Sequence, residues 1–223
     1  MSLACSTPVS DRLRRACAAF GLGVRFGPRV PSPVLADARA LAEEIDARLR
    51  EGEIALVSGP SGCGKSTVLR ELRRRCACVV AKPPDIEQPV ADLFCGGLDS
   101  MLRALAAAGL ADATVLPRLP RELSEGERFR LTVALALERA SRRARVATLV
   151  VDEFATSLDR PTARGVARTL RRWVNRAHDA GTARVRVVVA TPHDDLVSDL
   201  APDLIARPLV CRTMRAPKAA GGG

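Results

Sequence analysis

The 223-residue chain carries 35 lysines and arginines against 25 acidic residues, and hydrophobic residues make up 47% of it. That length and apolar content support one large α/β domain with a substantial core. No stretch approaches the roughly 20 apolar residues of a membrane span, and no secretory signal opens the chain, so we expect a cytoplasmic protein.

The formal net charge of +10 comes almost wholly from arginine, because the chain has only three lysines, Lys65, Lys82 and Lys218. A charge of this size favours nucleic acid or an anionic membrane surface as a partner. Arginine is abundant throughout the chain, however, and its clusters lie on predicted helices, where solvated helix faces explain them better than a docking surface does. Aromatic residues make up 3% of the chain and tyrosine is absent, which removes the stacking surface that single strands use. Nucleic-acid binding therefore stays open.

The cysteines are odd in number and form no C-x-x-C pair, and the chain has only two histidines. This pattern is typical of neither a disulfide framework nor a zinc site. The cysteines are Cys5, Cys17, Cys63, Cys76, Cys78, Cys95 and Cys211.

The N-terminal part of the chain predicts two helices that precede the first strand. Residues 10–20 have the pattern of a short helix, and a turn-rich connector follows it. Apolar residues then recur at helical spacing over residues 34–50, which predicts an amphipathic helix that ends near Gly52. We expect residues 1–33 to form an N-terminal helix and connector, and residues 34–214 to form the main domain.

The segment Gly59–Ser66 reads G-P-S-G-C-G-K-S and fits the phosphate-binding pattern G-x-x-x-x-G-K-[ST] at every fixed position. A short apolar run predicts a strand before it, and a helix is predicted from Lys65 onward. A strand, a glycine-rich turn and a helix N-terminus together trap anions, because backbone N–H groups and the helix dipole point into the turn. We expect Lys65 to reach the β- and γ-phosphates of a nucleotide and the Ser66 hydroxyl to ligate Mg²⁺. The predicted phosphate-binding residues are Gly59, Pro60, Ser61, Gly62, Cys63, Gly64, Lys65, Ser66 and Thr67.

Buried strands and helices alternate through the rest of the chain, which predicts a mostly parallel sheet covered on both sides. Residues 85–122 interrupt this alternation with two short helical patterns and a proline-punctuated link, so we predict a helical insertion there. Residues 215–223 are rich in proline, alanine and glycine and predict a loose tail. The remaining predicted elements are strands at 77–81, 146–151 and 184–190, helices at 124–142 and about 162–180, and a short edge strand after Pro202.

Asp152 and Glu153 directly follow the predicted strand at 146–151. Ligands of open α/β sheets bind at the carboxyl ends of the strands, so we expect Asp152 to face the Mg²⁺ held by Ser66, through water. Glu153 would reach a water molecule in line with the γ-phosphorus, which makes it the candidate general base. Two exposed acids at a strand end are the alternative interpretation, and the nearby phosphate loop weakens it.

Further segments follow in a specific order along the chain. L-S-E-G-E-R at 123–128 opens a helix, Ser157-Leu158-Asp159 follows the acidic pair, and His193 follows the last long strand. With the phosphate loop, this ordered set resembles the ABC-type ATPase family of P-loop NTPases over about residues 50–210. The resemblance implies an α/β P-loop NTPase fold, with ATP and Mg²⁺ as ligands. It also implies a homodimer in which two nucleotide domains stack head to tail around two ATP molecules.

The resemblance assigns roles to individual positions. It implies that Ser124 and Gly126 contact the γ-phosphate bound to the partner's loop, and that Asp159 lines the dimer seam. His193 would contact the γ-phosphate and hold the attacking water, so Glu153 and His193 are the expected catalytic residues. Gln88 is the candidate for the glutamine that senses Mg²⁺.

The chain departs from the family pattern in three places. The common signature L-S-G-G-Q is L-S-E-G-E here, so Glu125 and Glu127 bring negative charge near a phosphate. Ser124 and Glu127 also form an S-x-x-E capping box, which any helix start can use. The interval between Lys65 and the signature is short for the family, which predicts a trimmed helical insertion, the part that grips a transporter's membrane subunit. No clear aromatic residue precedes the first strand to stack on adenine, and Phe20 and Phe26 are distant candidates.

Residues 150–160 further resemble a branch of soluble, non-transport ABC ATPases that occur alone or fused to an acetyltransferase-like domain. We therefore expect a soluble ATP hydrolase that works as a nucleotide-driven dimer on an unknown partner. Two alternatives stay open: the ATPase subunit of a membrane ABC transporter, and a non-hydrolysing ATP-gated binding module, for which DNA is one candidate target. The adjacent Asp152 and Glu153 disfavour a small-molecule kinase.

Overall fold

The computed structural model describes residues 2–4, 10–20, 23–25, 33–208 and 212–215. The chain divides into two compact units, Met1–Ala36 and Asp37–Gly223. In the first unit, β1 (Ser2–Ala4) and β2 (Gly23–Arg25) pair in parallel, and α1 (Asp11–Ala19) lies between them in sequence. The helix α1 coincides with the one predicted at 10–20, whereas sequence patterns did not predict the two short strands. Most of the predicted connector, Phe26 and Cys5 lie outside the described residues.

The second unit alternates strands and helices as the sequence pattern predicts. Helix α2 (Pro33–Arg48) crosses the division between the two units, which falls after Ala36. The start of the main domain at residue 34 therefore stays a prediction. The elements are α2 (Pro33–Arg48), β3 (Ile54–Ser58), α3 (Lys65–Arg75), β4 (Cys78–Val80), α4 (Leu98–Ala107), α5 (Glu125–Ser141), β5 (Ala147–Val151), α6 (Arg160–Asp179), β6 (Val185–Thr191), α7 (Val197–Leu200), β7 (Leu204–Arg207) and β8 (Arg212–Arg215).

The second unit is built on a six-stranded sheet with the order β4-β5-β6-β3-β7-β8. Every neighbouring pair is parallel except β7 with β8. The mostly parallel α/β fold is therefore confirmed. Ser58 at the end of β3 lies opposite Thr191 at the end of β6, and Val151 at the end of β5 lies opposite Val189. The carboxyl ends of these three strands consequently meet at one edge of the sheet.

The two faces of the sheet are both buried under helices. Along β3, Ile54 and Leu56 contribute to one hydrophobic cluster, which includes residues of α4, α5 and α6. Ala55 and Val57 point the opposite way, into a second cluster with residues of α2 and α3. Alternate side chains of a strand point to opposite faces, so a strand buried on both sides reads as the continuous apolar run seen in the sequence. None of the described helices is long and apolar enough to cross a membrane.

The C-terminal edge of the sheet differs from the prediction. The strand predicted after Pro202, β7, pairs with β3 on one side and with β8 on the other, so β8 is the edge strand of the described sheet. The predicted tail starts at Arg215, but Arg215 belongs to β8 and pairs with Leu204. The Arg48 guanidinium on α2 donates to the Thr213 hydroxyl over 2.7 Å, which ties β8 to the helix layer. Residues 216–223 of the predicted tail lie outside the described residues.

The predicted insertion contains one α-helix, α4, which packs against α5. Its first predicted helix is only a 3₁₀ turn over Val90–Leu93, which ends where Phe94 takes an extended backbone. The backbone N–H groups of Val90 and Ala91 donate to the carbonyls of Arg118 (2.9 Å) and Leu116 (3.1 Å). The start of the insertion is therefore fastened to the proline-punctuated link near its end.

The turn before β3 contains a glycine that the packing requires. Gly52 has a φ of +78°, and a Cβ there would lie 2.6 Å from Cγ of His178 on α6. The Gly52 N–H donates to the Val185 carbonyl over 2.9 Å, and its own carbonyl accepts from Arg171 over 2.9 Å. The turn thereby fixes the start of β3 against α6 and β6.

We expect Gly52→Ala to lower the free energy of unfolding by about 2–4 kcal/mol, because a left-handed backbone and a contact with His178 would be penalised together. Gly181→Ala is the matched control, with a φ of +60° and no described atom within 4 Å of its added Cβ. The control should lose only about 1 kcal/mol. Urea denaturation measures both losses, and equal losses would contradict the role of the His178 contact.

Candidate functional site

The phosphate loop connects β3 to α3 and depends on glycine at several positions. The φ angles of Gly59, Gly62 and Gly64 are +151°, +79° and +99°, values that residues with a Cβ rarely adopt. A Cβ at Gly59 would also lie 2.8 Å from the sulfur of Cys63, so the loop is packed against itself. Gly64 caps α3 with a left-handed backbone, which begins the helix directly at Lys65.

Lys65 is buried, with only 9% of its surface exposed. Its ammonium group donates to the carbonyls of Gly59 (2.7 Å) and Pro60 (2.8 Å), at the start of the loop. A buried lysine ammonium requires such partners, since burial without them would be costly. The two carbonyls hold the positive charge at the mouth of the loop, beside the first turn of α3.

A cleft of about 370 Å³ lies over the loop at the carboxyl edge of the sheet. It brings Lys65 and Ser66 together with Asp152 and Glu153, which follow β5. The side of the cleft toward β6 is formed by Pro192. The lining residues are Ser61, Gly62, Gly64, Lys65, Ser66, Thr67, Asp152, Glu153, Thr156 and Pro192.

The acidic turn after β5 is held in a strained backbone. Glu153 and Ala155 have φ angles of +50° and +58°, unusual for residues other than glycine. The Glu153 N–H donates to the Asp152 carboxylate over 2.9 Å. Phe154 lies between Glu153 and Ala155 and is fully buried. Its N–H donates to the Ala190 carbonyl over 2.7 Å. Strain of this kind persists where surrounding packing enforces it, and it clusters at functional sites.

Thr156 is a cleft residue that sequence reasoning missed. Its hydroxyl donates to the Glu153 carbonyl over 3.0 Å, and its N–H donates to the same oxygen over 3.2 Å. These two bonds close the turn that carries the acids. A hydroxyl residue three positions after the glutamate was the available signal, because Ser and Thr side chains often bond to nearby backbone in turns.

The start of α5 forms a complete capping box. The Ser124 hydroxyl accepts from the Glu127 N–H (3.3 Å), while the Ser124 N–H donates to the Glu127 carboxylate (2.8 Å). The Ser124 hydroxyl also donates to that carboxylate over 2.8 Å. These hydrogen bonds from Ser124 lower the pKa of Glu127 below its ordinary value. The capping interpretation of the L-S-E-G-E segment thus has direct geometric support.

Gly126 lies against the segment that follows the acidic turn. A Cβ at Gly126 would lie 2.9 Å from Cδ2 of Leu158. Asp159 caps α6, since its carboxylate accepts from the Thr162 N–H over 3.0 Å, and these hydrogen bonds lower its pKa. The predicted signature residue Gly126 and the predicted seam residue Asp159 therefore belong to one contiguous surface of the chain.

Several predicted site residues do not line the described cleft. Gly59 and Pro60 instead hold the ammonium of Lys65, and Cys63 packs against Gly59. The half-buried His193 follows Pro192, and its N–H donates to the Thr191 hydroxyl over 3.3 Å. Gln88 is exposed and next to Pro89 at the start of the insertion. Ser124, Gly126 and Asp159 are likewise absent from the described lining of the cleft.

The segment after His193 is fastened by two aspartates that sequence reasoning did not single out. The buried Ser58 hydroxyl at the end of β3 donates to the Asp194 carboxylate. Arg160, next to the capping Asp159, pairs with Asp195, with Nε 3.1 Å from Oδ2. The position of His193 is therefore set by contacts to both the phosphate-loop strand and the start of α6.

The donor atoms of the cleft suit Mg²⁺ held largely by a nucleotide. Magnesium prefers hydroxyl and carboxylate oxygens and usually keeps substrate phosphates and water among its ligands. The cleft offers the Ser66 hydroxyl and the Asp152 and Glu153 carboxylates. Among the residues that the structure describes, no group of three or more His, Cys, Asp or Glu is placed to hold a metal by itself. The side chains fit an ion that is shared with a phosphate.

Comparison of the chain with known proteins identifies a family model and several similar proteins. Residues 36–188 match the model of the family described as the AAA ATPase domain. The chain is 27% identical to the Arabidopsis thaliana protein named ABC transporter I family member 10, over 76% of this chain and 66% of that protein. It is also 27% identical to a putative ABC transporter ATP-binding protein of Streptomyces coelicolor, over 87% of this chain and 39% of that protein.

Among solved structures, the fold is similar to that of a bacterial ABC transporter cassette solved in a dimeric structure. The TM-score is 0.52 at 18% sequence identity, and the match covers 72% of this chain and 82% of the cassette. This likeness concerns the fold. The chain matches less than the full length of its curated relatives, 66% of one and 39% of the other.

We expect Ser124→Ala to lower the free energy of unfolding by about 1 kcal/mol at pH 7, because the N-cap of α5 is lost. Ser124→Thr should retain the cap and most of the stability, because its hydroxyl can both accept from the Glu127 N–H and donate to the Glu127 carboxylate. The Glu127 pKa lies below its ordinary value of 4.5 in the folded chain. Its contribution is therefore present above about pH 4.5 and is lost as the pH falls through the lowered value. Urea denaturation at several pH values should show the parent's advantage over Ser124→Ala shrinking with acidification, and a constant advantage would contradict this account.

Proposed function

Because the chain belongs to the AAA ATPase domain family and is an ABC-type P-loop ATPase, we propose that it binds ATP with Mg²⁺ and hydrolyses it. Two chains would close head to tail over the nucleotide, and hydrolysis would reopen the pair. The cycle would act on a partner protein that is still to be identified. The observation that carries the proposal is the cleft in which Lys65 and Ser66 lie with Asp152 and Glu153.

The phosphate loop supplies the binding part of the proposal. Its positive-φ glycines leave the backbone N–H groups accessible at the N-terminus of α3, where the helix dipole favours anions. Lys65 would exchange its two loop carbonyls for the β- and γ-phosphate oxygens of ATP, as a charge-assisted contact. The remaining loop residues would fix the orientation of the phosphates. Binding would therefore depend strongly on the Lys65 ammonium.

The acidic turn supplies the hydrolytic part. Bound Mg²⁺ would neutralise charge on the β- and γ-phosphates, and Ser66 and Asp152 are the residues that would hold it. Glu153, held by the strained turn, would accept a proton from the attacking water and orient that water toward the γ-phosphorus. His193 is proposed to assist from the β6 side once the chains close, since its segment is already fastened to β3.

The dimeric part of the proposal rests on the second surface of the chain. Ser124, Gly126 and Asp159 lie at the starts of α5 and α6 and outside the described lining of the chain's own cleft. The dipoles of two helix N-termini would favour a phosphate there, and the carboxylates of Glu125 and Asp159 reduce this attraction. A two-fold dimer would bring this surface over the nucleotide on the partner's loop, and each chain would complete the other's site.

A second candidate is the ATPase subunit of a membrane transporter. The names of the two curated relatives favour it, because both refer to ABC transporters. It requires the same hydrolytic chemistry and adds a stable complex with a membrane protein. Co-expression with candidate membrane subunits, followed by sedimentation of the membranes, tests it separately from ATP hydrolysis.

We expect phosphate release by the purified chain to rise faster than linearly with protein concentration, because two chains form each complete site. Lys65→Ala should abolish ATP binding and phosphate release, since Lys65 is the one basic side chain in the loop sequence. Lys82→Ala is the matched control, an exposed lysine outside the described lining of the cleft. A release rate strictly proportional to concentration would argue against the dimer, and undiminished ATP affinity of Lys65→Ala would contradict the binding site.

We expect Glu153→Gln to retain ATP affinity while the turnover rate falls by about 10²- to 10⁴-fold, because the amide cannot accept the proton from water. The substitution keeps the shape of the side chain at a residue with a constrained backbone. Glu51→Gln serves as the control, because Glu51 lies in the turn before β3 and outside the described lining of the cleft. Equilibrium binding and single-turnover phosphate release measure the two quantities, and turnover at the parent's rate would rule out Glu153 as the base.

A further inference from the structure

Two cysteines lie in sulfur–sulfur contact at the end of α3 that is remote from the phosphate loop. Cys76 caps α3 and Cys78 begins β4, so only Ala77 separates them. Their sulfur atoms are 3.5 Å apart, and both thiols are free and half-buried. Helix α3 has 11 residues and is therefore about 16 Å long. The pair is thus a separate feature from the nucleotide cleft.

Polar groups surround the Cys76 sulfur, and its thiol donates to the Leu72 carbonyl over 3.4 Å. The Cys76 sulfur contacts the Thr148 hydroxyl on β5 over 3.5 Å. The Arg186 guanidinium on β6 donates to the same hydroxyl over 2.9 Å. Arg186 is itself fixed by the carbonyls of Asp46 (2.9 Å) and Leu49 (3.0 Å). The guanidinium also pairs with the Asp46 carboxylate, so the group that lies one hydroxyl away from the thiols is an ion pair.

The two thiols are electronically unequal. The hydrogen bond with Cys78 is the main cause that lowers the pKa of Cys76 to about 6, with further lowering from Thr148 and Arg186 and opposition from burial and from the Asp46 carboxylate. The pKa of Cys78 is raised, because Cys78 retains the proton that it donates to Cys76 and is partly buried. Arg73 on α3 and Arg186 act in the opposite direction on Cys78. A thiolate with a neighbouring protonated thiol is the arrangement of an attacking and a resolving cysteine.

We propose that Cys76 and Cys78 are a redox-active dithiol that small disulfides, such as glutathione disulfide, convert into an intrachain disulfide. The Cys76 thiolate attacks one sulfur of the small disulfide, a mixed disulfide forms, and one small thiolate leaves. Cys78 then loses its proton to water and attacks the Cys76 sulfur, and the second small thiolate leaves. The protein is oxidised by two electrons, and one small disulfide is reduced to two small thiols.

The local geometry allows the bond and keeps it reversible. A disulfide requires a sulfur–sulfur distance of about 2.05 Å, so the sulfurs must approach by about 1.5 Å from the 3.5 Å contact, a shift within reach of small χ1 rotations. Since Ala77 alone lies in the closed loop, the bond restricts the unfolded chain very little. Low added stability and partial exposure are properties of disulfides that are readily reduced.

The other described cysteines do not share these features. Cys63 packs against Gly59 in the phosphate loop, Cys95 is exposed in the insertion, and Cys17 is buried in the first unit. Among the described cysteines, Cys76 and Cys78 are the pair whose sulfurs touch. The proposal is independent of ATP hydrolysis, because it uses no residue that lines the cleft.

The full-length Cys95→Ser variant tests the proposal with glutathione disulfide as the oxidant. Trypsin should yield one peptide spanning residues 76–103, because Pro83 blocks cleavage after Lys82. We expect this peptide to lose about 2 Da, the mass of two hydrogens, and to regain it with excess reduced glutathione. In the same background, Cys78→Ser should stop at a glutathione adduct on Cys76 that gains about 305 Da. A parent peptide that stays unchanged, or that retains the adduct, would overturn the proposal.

A second measurement reports on the thiolate without oxidation. The rate at which iodoacetamide modifies Cys76 in the folded Cys95→Ser protein should reach half its plateau near pH 6. In Cys78→Ala the midpoint should move toward the ordinary thiol value of about 8.5, because alanine has no group that can donate a hydrogen bond to the Cys76 thiolate. Identical midpoints near 8.5 in both proteins would contradict the assignment of Cys76 as the attacking thiolate.

Discussion

The parallel alignment of β3, β6 and β5 is the constraint on which the site depends. It brings the ends of three strands to one edge, so that residues far apart in sequence, Lys65 and the Asp152–Glu153 pair, line one cleft. The register is fixed because β3 and β5 are buried along their whole lengths. A slip by one residue would exchange the faces of a strand and would displace the loop by about 3.3 Å along the sheet. Burial of apolar strands thus sets the distance between the cation and the acids.

Packing connects the acidic turn to the second surface through α5. Phe154, the residue between the strained Glu153 and Ala155, stacks edge-on against Phe129 of α5, with ring centroids 5.9 Å apart. Three residues earlier on the same helix, Gly126 meets Leu158. A movement of the turn would therefore be transmitted to the start of α5 through the buried Phe154 and the half-buried Phe129. The proposed closing of two chains over ATP would use this connection, since each chain's helix start faces the other's nucleotide.

The features that could be predicted from the sequence are those that a short run of residues specifies by itself. The phosphate loop, the apolar strands and the acids each have a pattern that packing cannot easily change, and the parallel fold follows from their alternation. Strand β8 has no such signal, because the sequence R-T-M-R is polar and becomes a strand only through β7 and the contacts of Thr213 with α2. Helix α6 begins at Arg160, earlier than predicted, because Asp159 caps it and Pro161 fits its first turn. The contact between Cys76 and Cys78 depends on how the chain bends out of α3, which spacing alone does not specify.

The altered signature has a physical explanation in the structure. The carboxylate of Glu127 is turned back onto Ser124, where it accepts two hydrogen bonds and lies 3.7 Å from the Arg118 guanidinium. Its negative charge therefore stabilises the helix start of its own chain instead of facing outward. Glu125 is exposed in the same first turn, where a carboxylate reduces the positive potential that a helix N-terminus offers to a phosphate. In the proposed dimer, the approach of a partner's nucleotide would then depend less on the helix dipole. In the proposed dimer, the affinity of this surface for a phosphate would therefore be tuned mainly by Glu125.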